Sequence, residues 1–168
     1  PIKENSIDIE NQRVFIYKAA EKAFIEDEFR LDMEGFMNLD FTDIQFIGDS
    51  GWIVGSKGTI LYTDNGGKNW RISRWGNFNF NSIHMISPGR GFITSDSVIL
   101  KTENGGRDWQ VVETGDTSVS YLSIAFNQNT GIIAGTKGKI LYSRDYGTTW
   151  EEKTINEAKR KKKMLDLN

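Results

Sequence analysis

Short apolar stretches, many of them alternating with polar residues, recur through the middle of the chain and are bounded by glycines. Alternation with a period of two is typical of β-strands that bury one face. The pattern predicts three strands in each of three units, which are Phe41–Phe46, Gly51–Gly55 and Gly58–Tyr62; Ser82–Ile86, Gly91–Ser95 and Ser97–Lys101; and Tyr121–Phe126, Gly131–Gly135 and Gly138–Tyr142. A fourth short strand is expected to start at Trp70, Trp109 and Trp150. The sequence therefore predicts an all-β chain built from similar units.

An eight-residue stretch separates the third and fourth strands of every unit. It reads Thr-Asp-Asn-Gly-Gly-Lys-Asn-Trp at Thr63–Trp70, Thr-Glu-Asn-Gly-Gly-Arg-Asp-Trp at Thr102–Trp109 and Ser-Arg-Asp-Tyr-Gly-Thr-Thr-Trp at Ser143–Trp150. The closing tryptophans are 39 and 41 residues apart. A period near 40 residues with about four strands per unit is the signature of propeller blades. The expected fold is a β-propeller-like array of three four-stranded blades over residues 36–75, 76–115 and 116–153.

Each eight-residue stretch has the chemistry of a tight turn. A short side chain can accept backbone N–H groups two residues on, and a later glycine can adopt a positive φ without a Cβ clash. The closing tryptophan can lie over the turn and add a large apolar contact. The residues assigned to this structural role are Thr63, Asn65, Gly67 and Trp70; Thr102, Asn104, Gly106 and Trp109; and Ser143, Asp145, Gly147, Thr149 and Trp150.

The stretch resembles a known repeat. Ser143–Trp150 matches the Asp-box, or BNR repeat, at every specified position, while the first two copies carry Asn65 and Asn104 in place of the aspartate. Asparagine keeps a carbonyl acceptor, so those turns are expected to survive with neutral bonds. Over about residues 36–153 the sequence is similar to that of the photosystem II assembly/stability factor family and its bacterial relatives. The resemblance implies a propeller scaffold with chaperone-like binding of a membrane-protein subunit.

Two segments flank the repeats. Residues 1–35 carry alternating apolar positions that favour strands over a short helix, and they are expected to form a divergent blade or a cap. Residues 154–168 contain five consecutive cations at Lys159–Lys163, which is typical of a solvated tail and otherwise suits an acidic partner or lipid head groups. Members of the resembled family ordinarily have seven blades. Three repeats therefore leave three routes to closure open: a unit formed by the first 35 residues, a homo-oligomer, or the remainder of a longer propeller.

Composition excludes only a few classes of protein. The 168 residues hold 17 glycines and 2 prolines, and their formal charge of −2 argues against a generally basic nucleic-acid-coating protein. The absence of cysteine excludes disulfides and thiolate sites. No apolar run reaches the ~18 to 20 residues of a membrane-spanning helix. The family resemblance favours an extracytoplasmic location (periplasmic, lumenal or secreted), whereas a native start at Pro1 would favour the cytosol.

The sequence offers little for catalysis. The single histidine, His84, lies in a predicted strand without a nucleophile motif, and one histidine is too few for a zinc site. Neither a metal site nor a cofactor is therefore expected. Sialidases share the Asp-box, but no arginine here maps to their substrate-binding triad. The prediction is a non-enzymatic binding module, and the alternative is a glycan-binding, lectin-like or sialidase-like glycan-processing propeller.

A protein partner is the favoured ligand class, with a glycan second. Rigid loop-bearing faces suit such recognition, and aromatic residues in polar surroundings are common at interfaces. Two aromatic residues of the connector between the first two repeats, together with four arginines, are the partner-binding candidates. They are Arg71, Arg74, Trp75, Phe78, Arg90 and Arg107. The alternative for the aromatic pair is packing between blades.

Overall fold

The computed structural model describes residues 39–114 and 118–153. Within them the chain forms twelve strands, which are β1 (Phe41–Ile47), β2 (Ser50–Gly55), β3 (Thr59–Thr63), β4 (Arg71–Arg74), β5 (Phe80–Met85), β6 (Gly91–Ser95), β7 (Ile99–Thr102), β8 (Gln110–Val112), β9 (Tyr121–Asn127), β10 (Thr130–Gly135), β11 (Ile140–Ser143) and β12 (Glu151–Glu152). A short 3₁₀ turn spans Thr136–Gly138. The predictions for residues 1–35 and for the basic tail lie outside the described residues.

Every four consecutive strands form one antiparallel sheet. The orders are β1-β2-β3-β4, β5-β6-β7-β8 and β9-β10-β11-β12, so each neighbour in sequence is a neighbour in space. In the first sheet, Gly51 pairs with Thr63 and Tyr62 pairs with Arg71. The predicted all-β architecture of three four-stranded blades is confirmed.

The strand bounds differ in detail from the sequence prediction. β5 begins at Phe80, two residues before the predicted Ser82, because Phe80 pairs with Ser95 and is fully buried. The fourth strand of each blade begins at the residue after the tryptophan, so the tryptophan lies outside the ladder. In the third blade, the 3₁₀ turn delays the start of β11 to Ile140.

The three blades pack face to face in chain order, with one apolar core in each space between them. We call the face toward the following blade the forward face and the face toward the preceding blade the rear face. The first core joins Trp52, Val54 and Ile60 on the forward face of the first blade to Phe80, Ile83, Met85, Ile93, Leu100 and Trp109 on the rear face of the second. The second core joins Phe92 and Ile99 to Val119, Tyr121, Ile124, Ile133 and Leu141 of the third.

Polar side chains of β1 fix the first two blades in register. The Asp43 carboxylate accepts the hydroxyl of Ser82 at 2.8 Å and the N–H of Ile83 at 2.9 Å. The Gln45 amide donates to the carbonyl of Met85 at 3.1 Å and accepts the N–H of the same residue. Since three of these four bonds join side chains of β1 to the backbone of the next blade, they resist sliding of one sheet over the other.

The array has two edges. One edge, which we call the Asp-box edge, carries the turns Thr63–Trp70, Thr102–Trp109 and Ser143–Trp150. Each turn lies on the hairpin between the first two strands of its own blade, as the bond from the N–H of Tyr146 to the carbonyl of Asn129 at 2.9 Å illustrates. The opposite edge, which we call the connector edge, carries the β2–β3, β6–β7 and β10–β11 turns and the connections between blades.

Candidate functional site

The hydroxyl group of Ser143 organises the third Asp-box turn. It is buried, accepts the N–H of Gly147 at 2.9 Å and that of Asp145 at 3.3 Å, and donates to the Asp145 carboxylate at 2.7 Å. Thr63 and Thr102 occupy the same position in the first two turns and make the same set of bonds. The hydroxyl of the first motif residue thus accepts hydrogen bonds from the backbone N–H groups that point into the turn.

The acidic residue of the motif reaches further than we expected. Asp145 accepts the backbone N–H of Thr149, four residues on, at 2.9 Å and also the Thr149 hydroxyl at 2.7 Å. The prediction that this side chain bonds N–H groups two residues on is therefore wrong, because the Ser143 hydroxyl already occupies the inner positions. The Thr149 N–H and hydroxyl, followed by the Ser143 hydroxyl, lower the pKa of Asp145 to about 2. Its carboxylate therefore stays charged above that pH.

Asparagine replaces this aspartate in the first two turns and keeps the same backbone bond. Asn65 accepts the N–H of Asn69 at 3.0 Å, and Asn104 accepts that of Asp108 at 2.9 Å. In the second turn the side-chain pair is reversed, because the Asn104 amide donates to the Asp108 carboxylate at 2.7 Å. Asn104 and Asp108 therefore form a side-chain hydrogen bond equivalent to the one between Asp145 and Thr149 in the third turn, with donor and acceptor exchanged.

The glycines and tryptophans complete the turns. Gly67, Gly106 and Gly147 have φ angles of 84°, 89° and 75°, a region in which a side chain would be strained. The Trp109 ring lies against Gly106 and is 9% exposed, while Trp70 and Trp150 are half-buried. The contacts of these hydroxyl, acceptor, glycine and tryptophan positions are internal to the fold, which favours the structural role expected for them.

The four candidate arginines do not share one surface. Arg71 pairs with Tyr62 beside the first Asp-box turn, whereas Arg74 pairs with Thr59 at the other end of the same strand, near the connector edge. Arg107 lies within the second Asp-box turn and is exposed. Arg71, Arg90 and Arg107 therefore lie at the Asp-box edge, whereas Arg74 lies near the connector edge.

Two of these arginines are engaged by neighbours. Arg90 is close to Glu103, with Nε 3.3 Å from the carboxylate, and it donates to the Thr148 hydroxyl of the third blade at 3.1 Å. Its Nε is buried and lacks hydrogen-bond geometry, so the contact with Glu103 is an ion pair only. Arg71 is 3.8 Å from Asp64 in a largely exposed pair, which contributes little to stability. Arg107 makes no ion pair within residues 39–114 and 118–153.

The aromatic connector packs against the protein. Trp75 and Phe78 stack on each other with their ring centroids 5.7 Å apart, and both lie against the first core. The N–H of Trp75 donates to the carbonyl of Gly58 at 2.9 Å. These contacts favour the alternative stated for this pair, packing between blades, over a role in binding a partner.

His84 lies between the second and third blades. Its ring is 5.5 Å from that of Phe126, and burial lowers its pKa, with Asp43 opposing the shift. Among the residues that the structure describes, no group of histidine and acidic side chains could hold a metal ion. The same residues include no helix with the length and apolarity needed to cross a membrane.

Sequence reasoning missed the residues that join the blades. Trp52 is fully buried and donates from Nε1 to the carbonyl of Gly105 in the second Asp-box turn, at 2.9 Å. The available signal was its position, since Trp52 and Phe92 both follow the first glycine of a second strand, at Gly51 and Gly91. A large ring in the same place of two repeats indicates a recurring contact.

The model of a family described as photosynthesis system II assembly factor YCF48 matches residues 21–78 and 75–164. The chain belongs to this family. The resemblance drawn from the Asp-box phrasing is therefore confirmed. A search of curated proteins returned no match.

Solved structures share the fold. A YCF48 structure bound to a D1 peptide is 24% identical, with a TM-score of 0.60 over 68% of this chain and 40% of its own length. YCF48 from Cyanidioschyzon merolae is 23% identical, with a TM-score of 0.59 over 73% of this chain and 40% of its own length. An ancestral GH74 enzyme is 16% identical, with a TM-score of 0.55 over 67% of this chain and 18% of its own length. The chain spans less than half the length of these relatives.

Proposed function

We propose that the chain is a non-catalytic binding module whose Asp-box edge recognises a polypeptide segment carrying carboxylate groups. The observation that carries the proposal is the exposed guanidinium of Arg107, which makes no ion pair among the described residues and stands on a turn held rigid by Thr102 and Asn104. A rigid turn presents such a group with little loss of conformational entropy on binding. Guanidinium groups pair with carboxylates through two parallel hydrogen bonds.

The neighbours of Arg107 along the edge support this assignment. Lys68 occupies the same position in the first Asp-box turn and is also exposed, and Arg71 is the first residue of β4, the outer strand of that blade. The solved structure of a YCF48 relative bound to a D1 peptide supports a polypeptide as the ligand class. The proposed ligand therefore follows the edge across the first two blades.

The same geometry weighs against hydrolysis. Two described groups have a lowered pKa: His84, which lies between blades, and Asp145, which is bonded into its own turn. A general acid or base has to reach a substrate, whereas the His84 ring packs on Phe126 between two blades and the Asp145 carboxylate is bonded to Ser143 and Thr149 of its own turn. The similarity to a GH74 enzyme concerns the fold alone.

A binding titration tests the proposal. A fluorescent synthetic D1 peptide is titrated with the wild-type chain, with Arg107→Gln, and with Arg74→Gln as the matched control on the connector edge. We expect saturable binding that Arg107→Gln weakens about tenfold, which corresponds to about 1.4 kcal/mol. Arg74→Gln is expected to bind as the wild type does, and higher salt is expected to weaken binding.

Two results would contradict the proposal. Equal weakening by both variants would mean that Arg107 acts only through overall charge. Absence of peptide binding together with saturable binding or turnover of a glycan would favour the lectin-like or sialidase-like alternative. An extracytoplasmic location belongs to the same proposal, and localisation of the tagged full-length gene product in its source cell tests it.

A further inference from the structure

The two interfaces between blades have the same arrangement of side chains at the Asp-box edge. In the first, the Trp52 ring of the forward face covers the next blade's Asp-box turn, where a Cβ added at Gly106 would lie 3.2 Å from its Nε1. In the second, the Phe92 ring covers the corresponding Gly147. An Asp-box turn thus receives a large apolar side chain from the blade that precedes it.

The innermost strands also make equivalent contacts in the two interfaces. Thr42 donates from its hydroxyl to the carbonyl of Phe80 at 2.7 Å, and Asn81, at the same place in the second blade, donates to the carbonyl of Tyr121 at 2.9 Å. Each forward face therefore contacts the innermost strand as well as the Asp-box turn of the following blade.

The forward face of the third blade has the same positions but no occupant among the described residues. Ile132 stands where Trp52 and Phe92 stand in the other blades, and it is 46% exposed. Leu122 corresponds to Thr42 and is 50% exposed. A groove of about 450 Å³ opens beside Ile132, lined by the hairpin residues 125–130. This is the place where an Asp-box turn would rest.

The rear face of the first blade is the complementary exposed surface. Ile44 and Phe46 are 55% and 43% exposed, whereas Ile83 and Met85 at the same positions of the second blade are buried in the first core. The glycine of the first Asp-box turn, Gly67, lies near rings of its own blade only. No ring from a preceding blade covers it within the described residues.

We propose that these two faces meet in a head-to-tail contact between two copies of this chain. The first-blade rear face of one copy, with its turn Thr63–Trp70, rests on the Ile132 groove of the other copy. The occupant is identified by the repeat itself, because the two open faces are the two halves of an interface that the chain already forms twice. Two such contacts close a ring of two copies.

Association in solution tests the contact. Sedimentation and light scattering of the wild-type chain are expected to give twice the 19.1 kDa of one chain at micromolar concentration. Ile132→Asp and Ile44→Asp each place a charge inside the contact and are expected to weaken association about a hundredfold. Val111→Asp is the matched control, since Val111 is an exposed apolar residue of the middle blade. It is expected to leave the mass unchanged.

A mixing experiment separates this arrangement from others. Ile132→Asp blocks the forward face of one chain and Ile44→Asp blocks the rear face of another, so a mixture retains one intact contact. We expect the mixture to recover a two-copy species that neither variant forms alone. Urea midpoints close to wild type for both variants would show that folding is intact.

Three results would overturn the inference. A single-chain mass of the wild type at every concentration would mean that the open faces are covered within the chain or by a longer one. Loss of association in only one of the two aspartate variants would indicate a symmetric contact instead of a head-to-tail one. Equal loss in Val111→Asp would indicate nonspecific association.

Discussion

The Asp-box hydroxyl offers the cleanest perturbation of the fold. Ser143→Ala removes one oxygen atom from a buried position and adds no volume. The hydroxyl bonds the N–H groups of Gly147 and Asp145 at 2.9 and 3.3 Å and the Asp145 carboxylate at 2.7 Å. The variant leaves the inner donors of the turn without their acceptor.

The magnitude follows from the burial of each partner. Gly147 is buried, so water cannot replace the lost acceptor, and an unsatisfied N–H costs about 1 to 3 kcal/mol. The carboxylate of Asp145 is accessible to water and contributes little to the loss. We therefore expect the free energy of unfolding to fall by about 2 kcal/mol. For a chain of this length, that lowers Tm by about 4 to 8 °C.

Urea unfolding followed by tryptophan fluorescence measures this loss, with an unchanged m value as evidence for intact folding. The control comes from the chain itself. Ser143→Thr keeps the hydroxyl and copies Thr63 and Thr102 of the other turns, so its midpoint is expected to stay within about 0.5 kcal/mol of wild type. Equal stability of Ser143→Ala and wild type would show that the hydroxyl bonds do not stabilise the fold, and equal destabilisation by alanine and threonine would assign the effect to packing.

Two further predictions concern the tryptophans and pH. Trp52→Phe removes the donor to Gly105 and is expected to cost about 1 to 2 kcal/mol in urea unfolding, whereas Trp109→Phe is expected to cost less, because the Trp109 Nε1 is buried without an acceptor; the reverse order would contradict this assignment. The lowered pKa of Asp145 implies a stabilisation present above its usual pKa of 3.8 and lost as pH falls toward about 2. Asp145→Asn is expected to flatten thermal stability across that pH window, and an unchanged profile would exclude this role.

The turns could be predicted from the sequence because their contacts are local. The hydroxyl, the acceptor, the glycine and the tryptophan of Ser143–Trp150 all lie within eight residues, so their types and spacing define the bonds. The reach of Asp145 to Thr149 was mispredicted because the sequence does not show that Ser143 fills the inner positions.

The contacts between blades could not be predicted in the same way. The bond from Trp52 to Gly105 spans 53 residues, and the bonds from Asp43 and Gln45 span about 40. They depend on the packing distance between sheets, which no local pattern encodes. The placement of Arg71 and Arg74 at opposite edges likewise could not be predicted, because it depends on the direction in which β4 runs between the two edges.

Binding of a polypeptide at the Asp-box edge can be measured residue by residue. Amide chemical-shift mapping of the isotope-labelled chain with the D1 peptide tests it most directly, because each residue reports its own environment. We predict concentration-dependent shifts at Lys68, Arg71 and Arg107, with the amide signals of Arg74 and Gly58 on the connector edge unchanged. Shifts confined to the connector edge, or none at saturating peptide, would contradict it.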